Sequence, residues 1–480
     1  MRPQIIIRYI GFVLLFNALF LLISAIISAA CGDTALVPLL YSAGIAGLIG
    51  VFPIIYVPPV ENIYNDEGLF IVVAGWLLSS LVGMLPYIMW GGPFTFTNAW
   101  FESVSGFTTT GSSILSDIEA LPVGLLLWRS FTHWIGGIGI VVFMLAVAPS
   151  TGQAAMVLYK SEISSLAVEN FRYRTRKTLQ IILVVYVGLT VAETLCLLIA
   201  GMGLFDAITH SFATIATGGF SPRNSSVAHF NSPLIEGIII VFMVLSGIHF
   251  ALIFLFLTGN PGRILKSPMV RYYLAAMATG VFVVALNIWG ENLYVNFWQA
   301  LRTAAFQVVS LGTSTGFATA DTNIWPGFSK LILIFFSLQC ACAGSTSGGI
   351  KVDRIVVLWK SFSGQFRKMK HPKAVVALKL GKTVIDPAIV EAGLLYISLY
   401  LCVVAASSLI LTLMGVDIMS AFSGSVAAMG NVGPGFGMVS SLSNFAMLPQ
   451  AAKWVLSMVM LLGRLEIFGL MMFLFYRFIR

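Results

Sequence analysis

The chain has 480 residues, of which 58% are hydrophobic and only 10% charged, with a formal net charge of +8. A soluble domain carries roughly 25% charged residues, so this composition excludes a water-solvated globule and places most of the surface in lipid. The five cysteines, Cys31, Cys196, Cys340, Cys342 and Cys402, form no CxxC pair and four of them lie inside apolar runs, which argues for small apolar filler and against a disulfide framework or thiolate metal site.

The apolar runs are about 20 residues or longer, the length that crosses a bilayer as a helix. The first, near 8–30, is too long for a cleaved leader, lacks a small-residue cleavage pattern and is followed at once by a second at 36–57. Pairs follow at 69–90 with 123–148, 178–202 with 233–258, 270–289 with 327–350, and 387–415 with 450–476. The reading is an all-α polytopic membrane protein of about ten transmembrane helices. An even count puts both termini on one side.

The positive charge decides which side, and its spacing argues for membrane topology rather than nucleic-acid binding. Lys160, Arg172, Arg174, Arg176 and Lys177 follow the first pair, and Arg263, Lys266 and Arg271 the second. Lys351, Arg354, Lys360, Arg367, Lys368, Lys370, Lys373, Lys379 and Lys382 follow the third. The opposite-side segments hold only Arg223, Arg302, Lys330 and Lys453. The basic loops and both termini are therefore expected in the cytoplasm. Segment 58–68, with Glu61, Asp66, Glu67 and no Lys or Arg, dissents, but acidic residues weigh little in this rule.

Each opposite-side segment holds an apolar stretch too short to span, ending in a Gly/Thr/Ser-rich turn. They read NAWFESVSGFTTTGSS from Asn98, DAITHSFATIATGGFS from Asp206, QALRTAAFQVVSLGTSTGFAT from Gln299 and SAFSGSVAAMGNVGPGFG from Ser420. Aligning the turns superposes Gly111, Gly219, Gly316 and Gly433, spaced 108, 97 and 117 residues apart. The chain thus divides into an N-terminal helix pair (1–66) and four helix–pore helix–turn–helix repeats, 67–176, 177–268, 269–383 and 384–480. Glycine takes positive φ without steric cost, so successive carbonyls can point one way. Four such turns around a pseudo-fourfold axis make a ring of carbonyl oxygens able to replace a cation's hydration shell. The short helices aim their negative C-terminal ends at that axis, with Asn98, Asp206 and Asp417 as expected caps at their outer ends.

Further residues stand out singly. CACAGSTSGGIK breaks the second helix of the third repeat with small, flexible residues from Ala343 to Gly349. That suits a segment swinging across a pore, or a small-residue packing motif; it lacks the Walker spacing of a phosphate loop. Arg464 and Glu466 sit inside the last apolar run, where an ionisable group is a functional candidate by default. Pairing between helices is the other reading, and suits Glu466 better. Glu102 lies nine residues before Gly111, with His210, Gln307 and Gly424 at matching places, a polar buttress behind the turns. His133, Arg129 and His249 are assigned packing or interfacial roles. Asp117, Glu119 and Asp321 lie just beyond the turns, either concentrating cations or simply solvated.

The stretches TTTGSS, WRSFTHWIGGIGIVV, SFATIATGGFS, CAGSTSGGIKV, HPKAVVALKLG, GNVGPGFG and GRLEIFG together resemble the TrkH/TrkG branch of the Trk/Ktr/HKT potassium-uptake superfamily over nearly the whole length. The resemblance implies a pseudo-tetrameric pore within one chain in the bacterial inner membrane, usually two chains per assembly. The transported ion is then K+, bound through filter backbone at Thr109, Thr110, Gly111, Thr217, Gly218, Gly219, Ser314, Thr315, Gly316, Asn431, Val432 and Gly433. It further implies an intramembrane gating loop of Ala343, Gly344, Ser345, Thr346, Ser347, Gly348, Gly349 and Lys351, and an Arg464 that projects into the pore as a barrier. Any nucleotide would act through a cytosolic TrkA-like partner with RCK domains, docked on the basic loops. In the plant branch a serine at the first filter accompanies sodium preference; Gly111 here favours potassium. Sodium permeation and proton- or sodium-coupled symport stay open. A secondary transporter of an organic solute usually shows two related halves rather than four turns, and an intramembrane enzyme would need catalytic sets that the spans lack.

Overall fold

The computed structural model describes residues 2–59, 64–147, 175–259, 262–371, 379–380, 383–384, 387–467 and 470. Lys160, Arg172, Arg174, Lys373 and Lys382 of the basic loops lie outside them, as does Glu61. Helices α1 (Pro3–Cys31) and α2 (Leu36–Tyr56) form the N-terminal hairpin. Their backbones touch at two glycines: a Cβ on Gly11 would lie 2.6 Å from the Gly50 carbonyl oxygen. Small residues permit this approach where lipid supplies no hydrophobic drive between helices.

The first repeat comprises α3 (Asn65–Gly83), α4 (Leu85–Trp90), α5 (Phe96–Phe107) and α6 (Val123–Val147). The second comprises α7 (Thr175–Ile199), α8 (Leu204–Ile215), α9 (Pro233–Ser246) and α10 (Phe250–Leu257). After α11 (Gly262–Lys266), the third is built from α12 (Pro268–Gly290), α13 (Phe297–Gly312), α14 (Gly327–Leu338) and α15 (Val352–Lys370). The fourth has α16 (Pro387–Leu413), α17 (Ile418–Gly430) and α18 (Gln450–Arg464). The short helices α5, α8, α13 and α17 have 12, 12, 16 and 13 residues. At 1.5 Å per residue none crosses the ~30 Å hydrocarbon core.

Among the described residues six helices are long and apolar enough to span, with a bent pair as a seventh. Of the other expected spans, 123–148 and 450–476 run past the described residues, and 233–258 and 327–350 are interrupted. Residues 233–258 are not one rod: α9 and α10 meet at 109°, and His249 caps α10 by accepting the Ala251 N–H at 3.1 Å. Residues 327–350 stop at Leu338, after which β1 (Gln339–Cys340) pairs in parallel with β2 (Ile350–Lys351) around a loop. Helix α18 ends at Arg464, and Glu466 and Ile467 take φ of 50° and 37°. Broken backbone at membrane depth is tolerated where protein buries it, and Ser345, Thr346, Ser347 and Lys351 are all buried.

Two of the three expected caps are corrected. Asp417 does cap α17 through the Ser420 N–H at 3.0 Å. For α5 the cap is Thr95, which accepts the Asn98 N–H. Asp206 lies inside α8, where it pairs with Arg223 at 2.6 Å.

Candidate functional site: the four-turn ring and the loop beneath it

The four short helices converge with their C-termini inward and end in the same way. The N–H groups of Thr110, Gly218, Thr315 and Val432 bond the carbonyls of Ser105, Ala213, Ser310 and Ala427 at 2.8–2.9 Å. The N–H groups of Thr109, Thr217, Ser314 and Asn431 bond Gly106, Thr214, Leu311 and Ala428 at 3.0–3.3 Å. This is the Schellman motif four times over. Its left-handed position normally takes Gly, yet here it holds Thr109 (φ 52°), Thr217 (φ 55°), Ser314 (φ 55°) and Asn431 (φ 51°). A β-branched residue at positive φ is a genuine outlier, and such strain concentrates at functional sites.

Two residues on, Gly111, Gly219, Gly316 and Gly433 are left-handed again, with φ of 81°, 75°, 81° and 99°. The intervening residue is not, so the backbone alternates in all four turns. The turns also touch in cyclic order. A Cβ added to Gly111 would lie 2.1 Å from the Gly218 oxygen, to Gly219 2.2 Å from that of Thr315, to Gly316 2.1 Å from that of Val432, and to Gly433 2.6 Å from that of Thr110. Each repeat's glycine therefore abuts the preceding residue's carbonyl in the next repeat, and the fourth closes on the first. Ser112 Oγ donating to the Gly433 carbonyl at 3.0 Å, and Asn431 Nδ2 donating to Thr110 Oγ1 at 3.0 Å, seal that junction. All twelve turn residues named from the sequence fall in this ring.

Polar side chains brace the ring from behind. Glu102 accepts from the Ile114 N–H at 2.9 Å and from Ser113 Oγ at 3.0 Å. Its third partner carried no sequence expectation: Arg129 Nε donates to it at 2.7 Å, and both side chains are buried. Arg129 also donates to the Ser221 carbonyl at 3.0 Å, tying the first repeat to the second. The signal was present, because a lone arginine in a span demands a partner. In the second repeat His210 Nε2 meets Ser221 Oγ at 3.0 Å. In the third, the Gln307 amide oxygen, in its better-satisfied orientation, accepts from the N–H groups of Thr319 and Ala320. In the fourth the brace is Ser423 rather than Gly424; its hydroxyl accepts the Phe436 N–H at 2.8 Å. His133 packs behind the second turn, its ring stacked on Phe220 at 4.0 Å. The outer acids are engaged: Asn224 bonds Glu119 and Asp117 at 3.1 and 2.9 Å, and Asp321 accepts from the Asn323 N–H at 2.8 Å.

The loop between β1 and β2 lies against the helix ends under the ring. Thr346 Oγ1 donates to the Ile215 carbonyl at 2.9 Å, at the end of α8. The Gly348 N–H donates to Ser314 Oγ at 3.1 Å, a direct contact between loop and ring. A Cβ on Gly348 would meet the Gly430 oxygen at 2.5 Å, so only glycine fits that approach. The loop's upstream half docks into the α9–α10 break: the Cys342 N–H donates to the Gly247 carbonyl at 3.0 Å and the Phe250 N–H to that of Gly344 at 3.2 Å. His249, read as packing, thus adjoins the loop, and a Cβ on Gly344 would lie 2.4 Å from its Cδ2. Asp353 anchors the loop by accepting the Ala343 N–H at 2.7 Å.

Arg464 reaches this loop from α18. Its Nη1 donates to the Thr346 carbonyl at 2.7 Å and its Nη2 to that of Gly136 at 2.9 Å, so one guanidinium clamps the loop to the first repeat. Lys351 lies 3.6 Å and Arg354 2.5 Å from opposite oxygens of Glu466. The space enclosed by loop, Arg464 and Glu466 is about 20 Å³, room for about one water.

The family model described as TrkH, cation transport protein, matches residues 59–476. A Trk system potassium uptake protein TrkH of Salmonella typhimurium is 40% identical over 410 residues, covering 85% of this chain and 84% of that one. One of Vibrio parahaemolyticus is 34% identical over 482 residues, covering 99% of each. The crystal structure of the potassium transporter TrkH from Vibrio parahaemolyticus superposes with a TM-score of 0.89 at 33% identity, covering 99% of both chains.

Proposed function

Since the chain belongs to the TrkH family of cation transport proteins, we propose that it takes up potassium through a filter made by its four turns and gated by the loop beneath them. The cyclic contact between Gly111, Gly219, Gly316 and Gly433 carries this reading. Alternating left-handed residues turn successive carbonyls the same way. Four copies offer a dehydrated cation a cage of oxygens, with the helix C-termini adding negative potential. The ion meets backbone oxygens and no charged side chain, which suits a monovalent cation that must bind and leave quickly.

The described form is closed. The loop fills the space under the ring, and the Arg464 guanidinium sits beside it as a fixed positive charge. Conduction requires release of the Thr346–Arg464–Gly136 clamp and withdrawal of the loop toward the α9–α10 break. The basic α15, which starts directly after the loop, is the lever for a cytosolic RCK-type partner. The repeats run 67–176, 177–268, 269–383 and 384–480, with basic ends and both termini in the cytoplasm of a bacterial inner membrane and two chains per assembly. Membrane potential supplies about 2.3 kcal/mol per charge per 100 mV, enough to drive uptake without ATP hydrolysis by this chain.

The test is uptake of potassium or rubidium-86 in a potassium-uptake-deficient bacterium, with sodium as competitor and surface expression checked. Rescue by the wild type and loss of potassium preference in Gly316→Ser are expected. No potassium-dependent rescue by an expressed wild type, even with an RCK partner supplied, would overturn the assignment.

A further inference from the structure

A second cavity lies outside the ion path. It has a volume of about 350 Å³ and is walled by α1, α3, α5 and α6, roughly ten times a water molecule's share of the liquid. Phe12 and Phe16, which line it, are 46% and 41% exposed on a helix long and apolar enough to span, so the cavity's exposed edge lies on that helix. It therefore opens into hydrocarbon. Its wall holds little polarity: the Ser79 hydroxyl already receives the Asn17 amide at 2.8 Å. A cavity of this character excludes water and takes apolar ligands.

We propose that this cavity holds one acyl chain of a membrane phospholipid and that the chain sets the position of Arg464. Two observations select a phospholipid. The exposed edge faces lipid, and Arg8, one helical turn from it, lies 5.7 Å from the Phe12 ring centroid and is held there by donating Nη1 to the Ile54 carbonyl at 2.7 Å and to that of Val57, at the end of α2. That fixed positive charge lies where the phosphate of an inserted lipid would be. The inner wall connects to the clamp. Trp76 lies under the Arg464 guanidinium, 5.9 Å from ring centroid to Cζ, and Gly136, which also lines the cavity, supplies a carbonyl that Arg464 binds. Phe107, the last residue of α5, completes the wall. An acyl chain packed here supports Trp76 and the Gly136 segment together; without it, both lose the contacts that fix the acceptor geometry of Arg464.

The effect on flux rests on the pore reading, whereas occupancy does not, so the two are measured separately. The full chain is reconstituted into vesicles of phospholipid with ordinary or brominated acyl chains, and the Trp76 emission is isolated by difference against Trp76→Phe. A Cβ at Gly139 meets nothing closer than Trp76 Cζ2 at 3.9 Å, so Gly139→Leu fills the cavity, with Val13→Phe as a second filler. Gly188→Leu, on an exposed site with open space around it, is the control. Expected is loss of more than half the Trp76 emission in brominated lipid for wild type and Gly188→Leu, and its retention in the two fillers. Rubidium-86 flux should change severalfold in the fillers and stay at wild type in Gly188→Leu. Equal quenching in wild type and fillers overturns occupancy. So does disulfide capture between copies through Phe12→Cys without quenching, which would put a second copy over the exposed edge. Quenching lost in the fillers with unchanged flux overturns the link to Arg464. A wild type that conducts no cation under any condition refutes the pore while the quenching still reads the cavity.

Discussion

Arg464→Ala should open the pore, and the structure sets the scale. The guanidinium makes two charge-assisted bonds, to Thr346 O at 2.7 Å and Gly136 O at 2.9 Å. Such bonds contribute about 1.5–3 kcal/mol each. Water can enter the space left by the truncated side chain, so the lower end applies, about 3 kcal/mol for the pair. With 1.4 kcal/mol per tenfold, the closed-to-open ratio falls about a hundredfold. Removing a positive charge beside the path acts in the same direction. Rubidium-86 uptake into proteoliposomes, without any cytosolic partner, should rise at least tenfold. Arg464→Lys separates the two contributions, because an ammonium keeps the charge but lacks the planar fork that spans two carbonyls. It should fall between wild type and alanine. Flux of Arg464→Ala equal to wild type at matched protein level would refute the clamp.

Gly348→Ala places a methyl 2.5 Å from the Gly430 oxygen, so the loop cannot dock and basal flux should rise in the same assay. Ser314→Ala removes only the acceptor of the Gly348 N–H and should raise flux a fewfold, since one neutral hydrogen bond contributes about 1 kcal/mol. Gly316→Ala forces a side chain at φ 81° with Cβ 2.1 Å from the Val432 oxygen; potassium uptake should drop more than tenfold and sodium should compete better, read from competition curves. Glu102→Ala leaves Arg129 buried without its carboxylate, a loss of about 3–5 kcal/mol. The thermal unfolding midpoint in detergent should fall clearly, and Glu102→Gln, which keeps an acceptor, should fall less.

Much of the candidate site's backbone geometry was legible because its signals are local. Gly111, Gly219, Gly316 and Gly433 mark positions where the backbone must be left-handed, and a fourfold recurrence of helix and turn survives in one-dimensional spacing. Other features were hidden for physical reasons. Residues 233–258 read as one span because hydropathy averages over Gly247, whereas the break exists because residues 342–344 of the loop bond into it. Asn98 has the chemistry of a cap, but Thr95, three residues earlier, holds that place because the chain enters the helix there. Arg129 sits in a matching stretch but nothing in it names a partner, and only the fold puts it 2.7 Å from Glu102.

Composition and the apolar runs marked this as a membrane chain, and the spacing of its turns pointed to two leading helices followed by four helix–turn units. Those properties follow from short-range rules: the cost of exposing backbone to hydrocarbon and the conformational freedom of glycine. The tertiary structure alone decided that the turns close in the order of the sequence, that the third repeat's loop lies beneath them, and that Arg464 binds carbonyls 118 and 328 residues away. No periodicity encodes a contact at that separation. It exists because the fold brings the end of α18, the loop between β1 and β2 and the middle of α6 together, where one guanidinium satisfies two buried carbonyls.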